Sequence, residues 1–335
     1  MTTKHRGRKL FSRLATVTER RCQMAQLLRP QHLSELVKLY VSRNKRIESS
    51  TVYMTKLAFG YLIEAVGSLN ITEFDRNMAE EYQSTLIDRG LSKISANAYC
   101  KMVSPVFSWA VGHKWIEKNP FTGLKKFKVT PTEVRFYRQD ELQRLLKVAD
   151  SLWTGRILMG LMMRTGEVLN TTVGDVDFEQ GFVQVSAKKD SAYTWRFEPK
   201  DHDRRILPLF PDLATVLLRR LDELPQGHPY LWLTKERYSY LMTHKDKLSD
   251  RMKKRPDNNF DRNWKALASR AFVNGSFGML RKTGLTILSG DLPLQEVQTF
   301  GGHSSIETTR RYLGVRRDVL TRAGDLLSRG VAQFG

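Results

Sequence analysis

Between Gln31 and about Lys118 the apolar residues recur with helical spacing and no stretch alternates with period two, so this part of the chain has to bury helix against helix. Leu33, Leu36, Val37 and Tyr40 form one stripe, Leu57, Tyr61, Leu62 and Ile63 a second, and Met78, Tyr82 and Leu86 a third. A fourth carries Ile94, Ala98, Met102, Phe107 and Ala110, and Pro105 is expected to kink it or end one turn. Four or five helices without strands describe a small bundle of about 90 residues.

The pattern breaks at Asn119-Pro120 and at LKKFKVTPTEVR. Residues 124–135 are therefore the expected linker between a first domain, 31–123, and a second, 136–335. Ahead of both, residues 1–30 hold Lys4, Arg6, Arg8, Lys9, Arg13, Arg20 and Arg21 and read as a basic arm, with a solubilising tail as the alternative. Helix signals at Gln139–Ala149 and Thr154–Met163 precede a β-rich run with Phe182, Val183 and Val185. Further runs at Ala192–Phe197 and Arg205–Leu209, separated by EPKDHDR, complete a small antiparallel sheet with Lys200 at a hairpin tip. Helical signals return at Leu213–Leu224, Asn263–Val273, Leu280–Ser289, Leu294–Thr299, Ser305–Tyr312 and Arg317–Ser328. The fold class is mostly α, in two domains, with one short sheet.

The 55 Lys+Arg against 35 Asp+Glu leave a net charge of +20, which repels itself unless a polyanion is a regular partner. Nucleic acid is the first candidate. An anionic membrane surface competes with it, but no apolar run approaches the ~20 residues that span a bilayer. MTTKHRGRKLFSRL has no apolar segment behind its charges and does not read as a signal peptide. Two cysteines, Cys22 and Cys100, are too few for a disulfide scaffold or a thiolate cluster, and a reducing, cytoplasmic setting is the default.

Motifs narrow the chemistry. No G-x-x-x-x-G-K-[ST] cradles phosphate, which disfavours an ATP-driven motor. The 7 histidines are scattered, with no H-E-x-x-H or C-x-x-C, although a magnesium nuclease built on dispersed carboxylates stays open. Arginine, lysine, histidine and tyrosine remain, a set suited to a phosphodiester: guanidiniums neutralise non-bridging oxygens and a tyrosine attacks in line. GGHSSIETTRRYLGV, 301–315, sets His303 and Tyr312 around a helix start in which Ser304 and Glu307 make a capping box.

These residues resemble the tyrosine recombinase (phage integrase) family, the site-specific DNA recombinases with an R-K-H-R-H-Y constellation. The glycine-histidine stretch 301–315 is similar to the family's L-G-H-S-S-x-x-T-T-x-x-Y box, which implies His303 as second histidine and Tyr312 as nucleophile. Arg164-Thr165-Gly166-Glu167 resembles the R-x-x-E box and implies Arg164 as the first phosphate-binding arginine. PKDHDRRILPL resembles the β-hairpin segment whose lysine protonates the leaving 5′-hydroxyl, pointing to Lys200, and LRKTG the H-x-x-R box, giving Arg281. The fold implied is a SAM-like helical core-binding domain followed by an α-rich catalytic domain, closing on duplex DNA as a C-shaped clamp. The resemblance further implies no metal and no cofactor, a 3′-phosphotyrosyl intermediate, a Holliday junction, and a synaptic tetramer exchanging a C-terminal segment, here about Arg317–Gly335. Recombination-site DNA, copies of this chain and DNA-bending accessory proteins are the implied partners.

Two departures stand out. Leu161-Met162-Met163 replaces the usual Thr-Gly-x before Arg164, which alters that turn and leaves the arginine's role. Gly278 stands where the H-x-x-R box has histidine or lysine, so one of the six groups is missing unless Lys282 or another nearby cation supplies its charge. A naturally divergent, weakened site and a substitution made to slow the reaction both stay open. So do a DNA-binding relative with little catalysis and a type IB topoisomerase-like relaxer. Taken singly, Tyr312 reads as a half-buried tether, His303 as a cap, and Arg164, Arg281 and Lys200 as surface cations; Lys188, Lys189 and Arg204 compete with Lys200. Glu167 reads as structural.

Overall fold

The computed structural model describes residues 29–130, 134–200 and 204–302, and the chain divides into two compact units, Met1–Pro131 and Thr132–Gly335. In the first, the apolar stripes become α1 (Leu33–Arg43), α2 (Ser49–Val66), α3 (Arg76–Asp88) and α4 (Lys93–Gly112). Side chains set the starts of two of them: Asp75 Oδ1 accepts the Met78 N–H at 2.9 Å, and Ser92 Oγ the Ser95 N–H at 3.2 Å. The stripes meet in an aromatic core in which Phe107 lies 5.0 Å from Phe74 and 5.5 Å from Phe121, ring centre to ring centre. The buried Tyr82 hydroxyl donates to Ala58 O at 3.0 Å, so even this polar atom is satisfied.

Pro105 neither ends α4 nor splits it. It sits on the exposed side of the helix, where water can take the carbonyl that loses its donor, while Val103, Val106 and Phe107 hold the opposite side in the core. Of the expected linker, 124–127 lies against the first unit: Gln83 Nε2 donates to Lys125 O at 3.1 Å, and Asn97 brackets the Phe127 backbone with two 3.0 Å bonds.

The second unit runs α5 (Gln139–Val148), α6 (Ser151–Gly160), α7 (Thr165–Leu169), β1 (Val176–Asp177), β2 (Phe182–Val185), β3 (Arg205–Pro208), α8 (Pro211–Glu223), α9 (Lys235–Thr243), α10 (Asp250–Lys254), α11 (Phe260–Arg270), α12 (Gly278–Leu288) and α13 (Leu294–Gly301). Its core is centred on Trp153, Trp232, Trp264, Phe260, Phe277 and Leu280. The sheet is antiparallel in the order β1-β2-β3, with Val183 opposite Leu207 and Val185 opposite Arg205.

The sheet differs from the sequence expectation in two strands: β1 was not expected, and one expected strand does not join the ladder. Ala192–Phe197 is not part of the ladder; it makes a single bridge, Lys188 to Phe197, because Trp195 turns into the core and stacks on Tyr230 at 4.1 Å. Lys200 consequently lies in a long connection, 186–204, rather than at a tight hairpin tip. Helices α9 and α10 were not expected either. Only Leu241 of α9 and no residue of α10 is buried, so neither leaves an apolar period to read. The helices expected at Ser305–Tyr312 and Arg317–Ser328 lie outside the described residues. No helix among the described residues is long and apolar enough to cross a membrane.

Candidate active site

Arg164 immediately precedes helix α7 at its N-cap, with an extended backbone (φ −71°, ψ 151°). One turn later Glu167 folds back, and its carboxylate accepts the Arg164 N–H at 2.8 Å and the Arg164 guanidinium at 3.1 Å. The same carboxylate accepts both terminal nitrogens of Arg205, at 2.5 and 3.3 Å, and Arg281 Nη1 lies 4.0 Å away. Three guanidiniums from α7, β3 and α12 thus converge on one carboxylate. Glu167, Arg205 and Arg281 are buried, and the Arg164 side chain is the most exposed of the four at 26%.

Burial alone would push the Glu167 carboxyl up. The Arg205 hydrogen bond and charge, the Arg281 charge and the Arg164 amide outweigh it and hold the group below the ordinary carboxylate range. Glu167 is therefore an anion held among three guanidiniums, groups whose planar forks are suited to binding anions.

A second set of acceptors comes from the end of α13. Phe300 O accepts from Arg205 Nε at 3.1 Å, Gly301 O from Arg281 Nη2, and Gly302 O from Arg164 Nη2 at 3.3 Å. Three successive carbonyls at a helix C-terminus, where the dipole is negative, are bound by the three arginines in turn. Gly302 closes α13 in the left-handed region (φ 50°, ψ 51°), which favours glycine.

The altered turn before Arg164 also takes part. Met162 O accepts Arg281 Nη1 at 2.7 Å, and the Leu161 backbone packs so closely on Gly284 of α12 that a Cβ there would meet Leu161 O at 1.9 Å. Gly278 opens α12 one turn ahead of Arg281, exposed, and among the described residues a Cβ there would meet only Ser276 Oγ within 4 Å, at 3.9 Å. Lys282, four residues after Gly278, lies on the same stripe of the helix.

Of the residues singled out from sequence, the structure brings together Arg164 and Arg281, with Glu167 between them. Lys200 is exposed in the 186–204 connection, and no described contact joins it to the cluster; Lys188 is engaged elsewhere, its Nζ 2.6 Å from Asp175 Oδ1. His303 and Tyr312 lie outside the described residues. Sequence reasoning missed Arg205, although the signal was there: in Arg-Ile-Leu-Pro, Arg205 and Leu207 share the buried side of β3.

The sequence model of the Phage integrase family matches residues 135–318, and that of its SAM-like domain residues 32–129. The chain belongs to the phage integrase family. Within it, this chain is 27% identical over 207 residues to the tyrosine recombinase XerA of Pyrococcus horikoshii, across 60% of this chain and 64% of XerA, so the match spans less than two thirds of that relative. The Tn1549 transposon integrase in complex with a circular intermediate DNA has the same fold, with TM-score 0.68 and 18% identity over 89% of this chain and all of that one (100%). The lambda integrase tetramer bound to a Holliday junction aligns with TM-score 0.60 and 14% identity over 82% of this chain and 76% of that one. The family match to the second unit covers the whole arginine cluster.

Proposed function

We propose that this chain is a site-specific DNA recombinase of the integrase type, cutting and rejoining duplex DNA through a 3′-phosphotyrosyl intermediate. In this reading Arg164 and Arg281 neutralise the non-bridging oxygens of the scissile phosphate. The Tyr312 hydroxyl attacks phosphorus in line, forming the P–O(Tyr) bond as the bond to the 5′-oxygen breaks. Lys200 gives that oxygen its proton, and His303 contacts the phosphate or takes the tyrosine proton. A 5′-hydroxyl of the partner duplex reverses the steps, and the conserved bond energy removes any need for ATP.

One observation carries the reading: the three arginines are bound by the carbonyls of Phe300, Gly301 and Gly302, and His303 is the next residue in the chain. The arginine cluster therefore reaches the residue that precedes His303 in the chain, which supports reading the cluster and the histidine–tyrosine box as one site. The first unit and basic runs such as Lys125-Lys126-Phe127-Lys128 are proposed to hold the DNA backbone, giving salt-dependent affinity. The domains 31–123 and 136–335, the linker 124–135, the arm 1–30, assembly as a tetramer on recombination sites, and assistance by DNA-bending proteins belong to the same proposal.

The test is a covalent protein–DNA adduct on suicide duplexes that survives denaturation, forms in EDTA and disappears in Tyr312→Phe. An adduct that persists in that variant sinks the reading. The open position at Gly278 favours one second reading, a sequence-specific DNA-binding relative with little catalysis. Binding without adduct in the chain as it stands, with an adduct that appears in Gly278→His, decides for it.

A further inference from the structure

Trp195 is the most elaborately bonded side chain of the connection that carries Lys200, which Tyr238 also holds at Tyr193 O and Lys245 at Ser191 O. Trp195 is wholly buried; its ring lies on Tyr230 at 4.1 Å and an interplanar angle of 6°, and its indole N–H is shared between Asn170 Oδ1 at 2.9 Å and Lys253 O at 3.2 Å. Asn170 directly follows α7, and its amide donates to Gly166 O at 2.8 Å and Lys254 O at 3.3 Å. One carboxamide therefore ties the helix begun by Arg164, the strap that carries Lys200, and the end of α10. Beyond Trp195 the strap alternates, with Phe197 and Pro199 buried and Lys200 exposed, and the Lys188–Phe197 backbone pair clamps it at 2.8 and 3.1 Å.

We propose that Trp195, acting through Asn170, is a positioning residue that fixes the Lys200-bearing strap relative to the Arg164 helix. The chemistry explains why such a tether is needed. Arg164 engages the phosphate and Lys200 protonates the leaving oxygen, so both must be registered on one phosphodiester, and displacement by about 1 Å costs on the order of 100-fold in rate. The turn in this connection, where the Ser191 N–H donates to Thr194 O at 3.0 Å, lies well before Lys200 and does not set its register as a two-residue hairpin would. The proposal rests on the reading of Lys200 as the acid.

The experiment compares suicide duplexes, bearing a site recovered by selection for bound DNA, with either an ordinary phosphodiester or a 5′-bridging sulfur at the scissile position. A thiolate leaves without a proton donor, since thiols ionise near pKa 8.5, so a defect in acid catalysis is relieved by sulfur and a general structural defect is not. Rates are measured in the chain as it is and in the Gly278→His background. Trp195→Phe, which keeps a ring on Tyr230 and removes the N–H, is expected to cleave the diester about 100-fold slower and the sulfur substrate within about threefold of the parent. Benzothienylalanine at 195, which keeps the indole's shape without its N–H, is expected to do the same and guards against a misfolded Phe variant. Equal slowing on both substrates, or no slowing on either, overturns the proposal. Lys200→Ala is the reference: if sulfur does not relieve its defect, the reading of Lys200 as acid falls, and the proposal with it.

Discussion

Among the described residues the first unit buries Thr55 and Gln83 as its polar side chains and nothing charged, whereas the second buries Glu141, Arg156, Glu167, Asp175, Arg205 and Arg281. A buried ion pair is weak evidence of stability, because desolvation offsets most of the Coulomb gain. The first unit shows that this chain can build a core from aliphatic side chains and stacked aromatic rings, with no buried charge among the described residues. The second keeps guanidiniums in its interior where apolar residues would fold as well, and each of Arg164, Arg205 and Arg281 is held both by Glu167 and by the end of α13. That difference separates a scaffold from a site.

The largest test of the contrast is Glu167→Ala. Removing the shared carboxylate leaves partly or wholly buried guanidiniums facing one another, and a loss of about 3–5 kcal/mol is expected, read as faster amide exchange in α7, β3 and α12. Phe107→Ala is expected to cost a similar amount, about 3–5 kcal/mol, through a cavity, read in α2 and α4. Acid distinguishes the two. The Glu167 carboxyl is held below its ordinary value of 4.5, so its contribution is present above that pH and is lost as pH falls through the folded value. Titrating the parent from pH 7 towards pH 3 should expose α7 and β3, and Glu167→Gln should flatten that pH dependence. Unchanged exchange in these elements at low pH would break the comparison.

Backbone approach gives the next contrast. Gly284 in α12 meets the Leu161 backbone, and Gly284→Ala must push apart the turn whose Met162 carbonyl binds Arg281, at an expected cost of about 1–3 kcal/mol. Gly60, inside α2 of the first unit, has nothing among the described residues within 4 Å of an added Cβ, so Gly60→Ala should stabilise by up to about 1 kcal/mol. Thermal melting of both variants measures the opposite signs.

The same division governs what could be read from the sequence. The helices of the first unit were legible because each leaves an apolar stripe, and Arg164 and Arg281 because each sits in a short box. Arg205 was not, since a cation on the buried side of a strand contradicts the rule that arginine lies outside, and partners distant in sequence, Glu167 38 residues away and the Phe300 carbonyl, make it tolerable. Nor was the Trp195 strap: its aromatic run reads as a strand until the buried Tyr230 ring that takes it out of the ladder is known. Local pattern exposes local packing, and the convergence of α7, β3, α12 and α13 is set by contacts distant in sequence.

The smallest effect bears on Gly278. Its backbone lies outside the left-handed region and an added Cβ finds Ser276 Oγ at an ordinary 3.9 Å, so the fold does not require glycine there. Gly278→Ala should therefore stabilise the chain by about 0.4–1 kcal/mol by restricting the unfolded state, and leave cleavage at the parent's rate. Gly278→His should add a side chain one turn ahead of Arg281 and raise the cleavage rate by about tenfold or more if it supplies the missing group. Were Gly278→Ala to destabilise the chain instead, the glycine would be there for packing; a gain in stability with Ala and in rate only with His would assign its cost to chemistry alone.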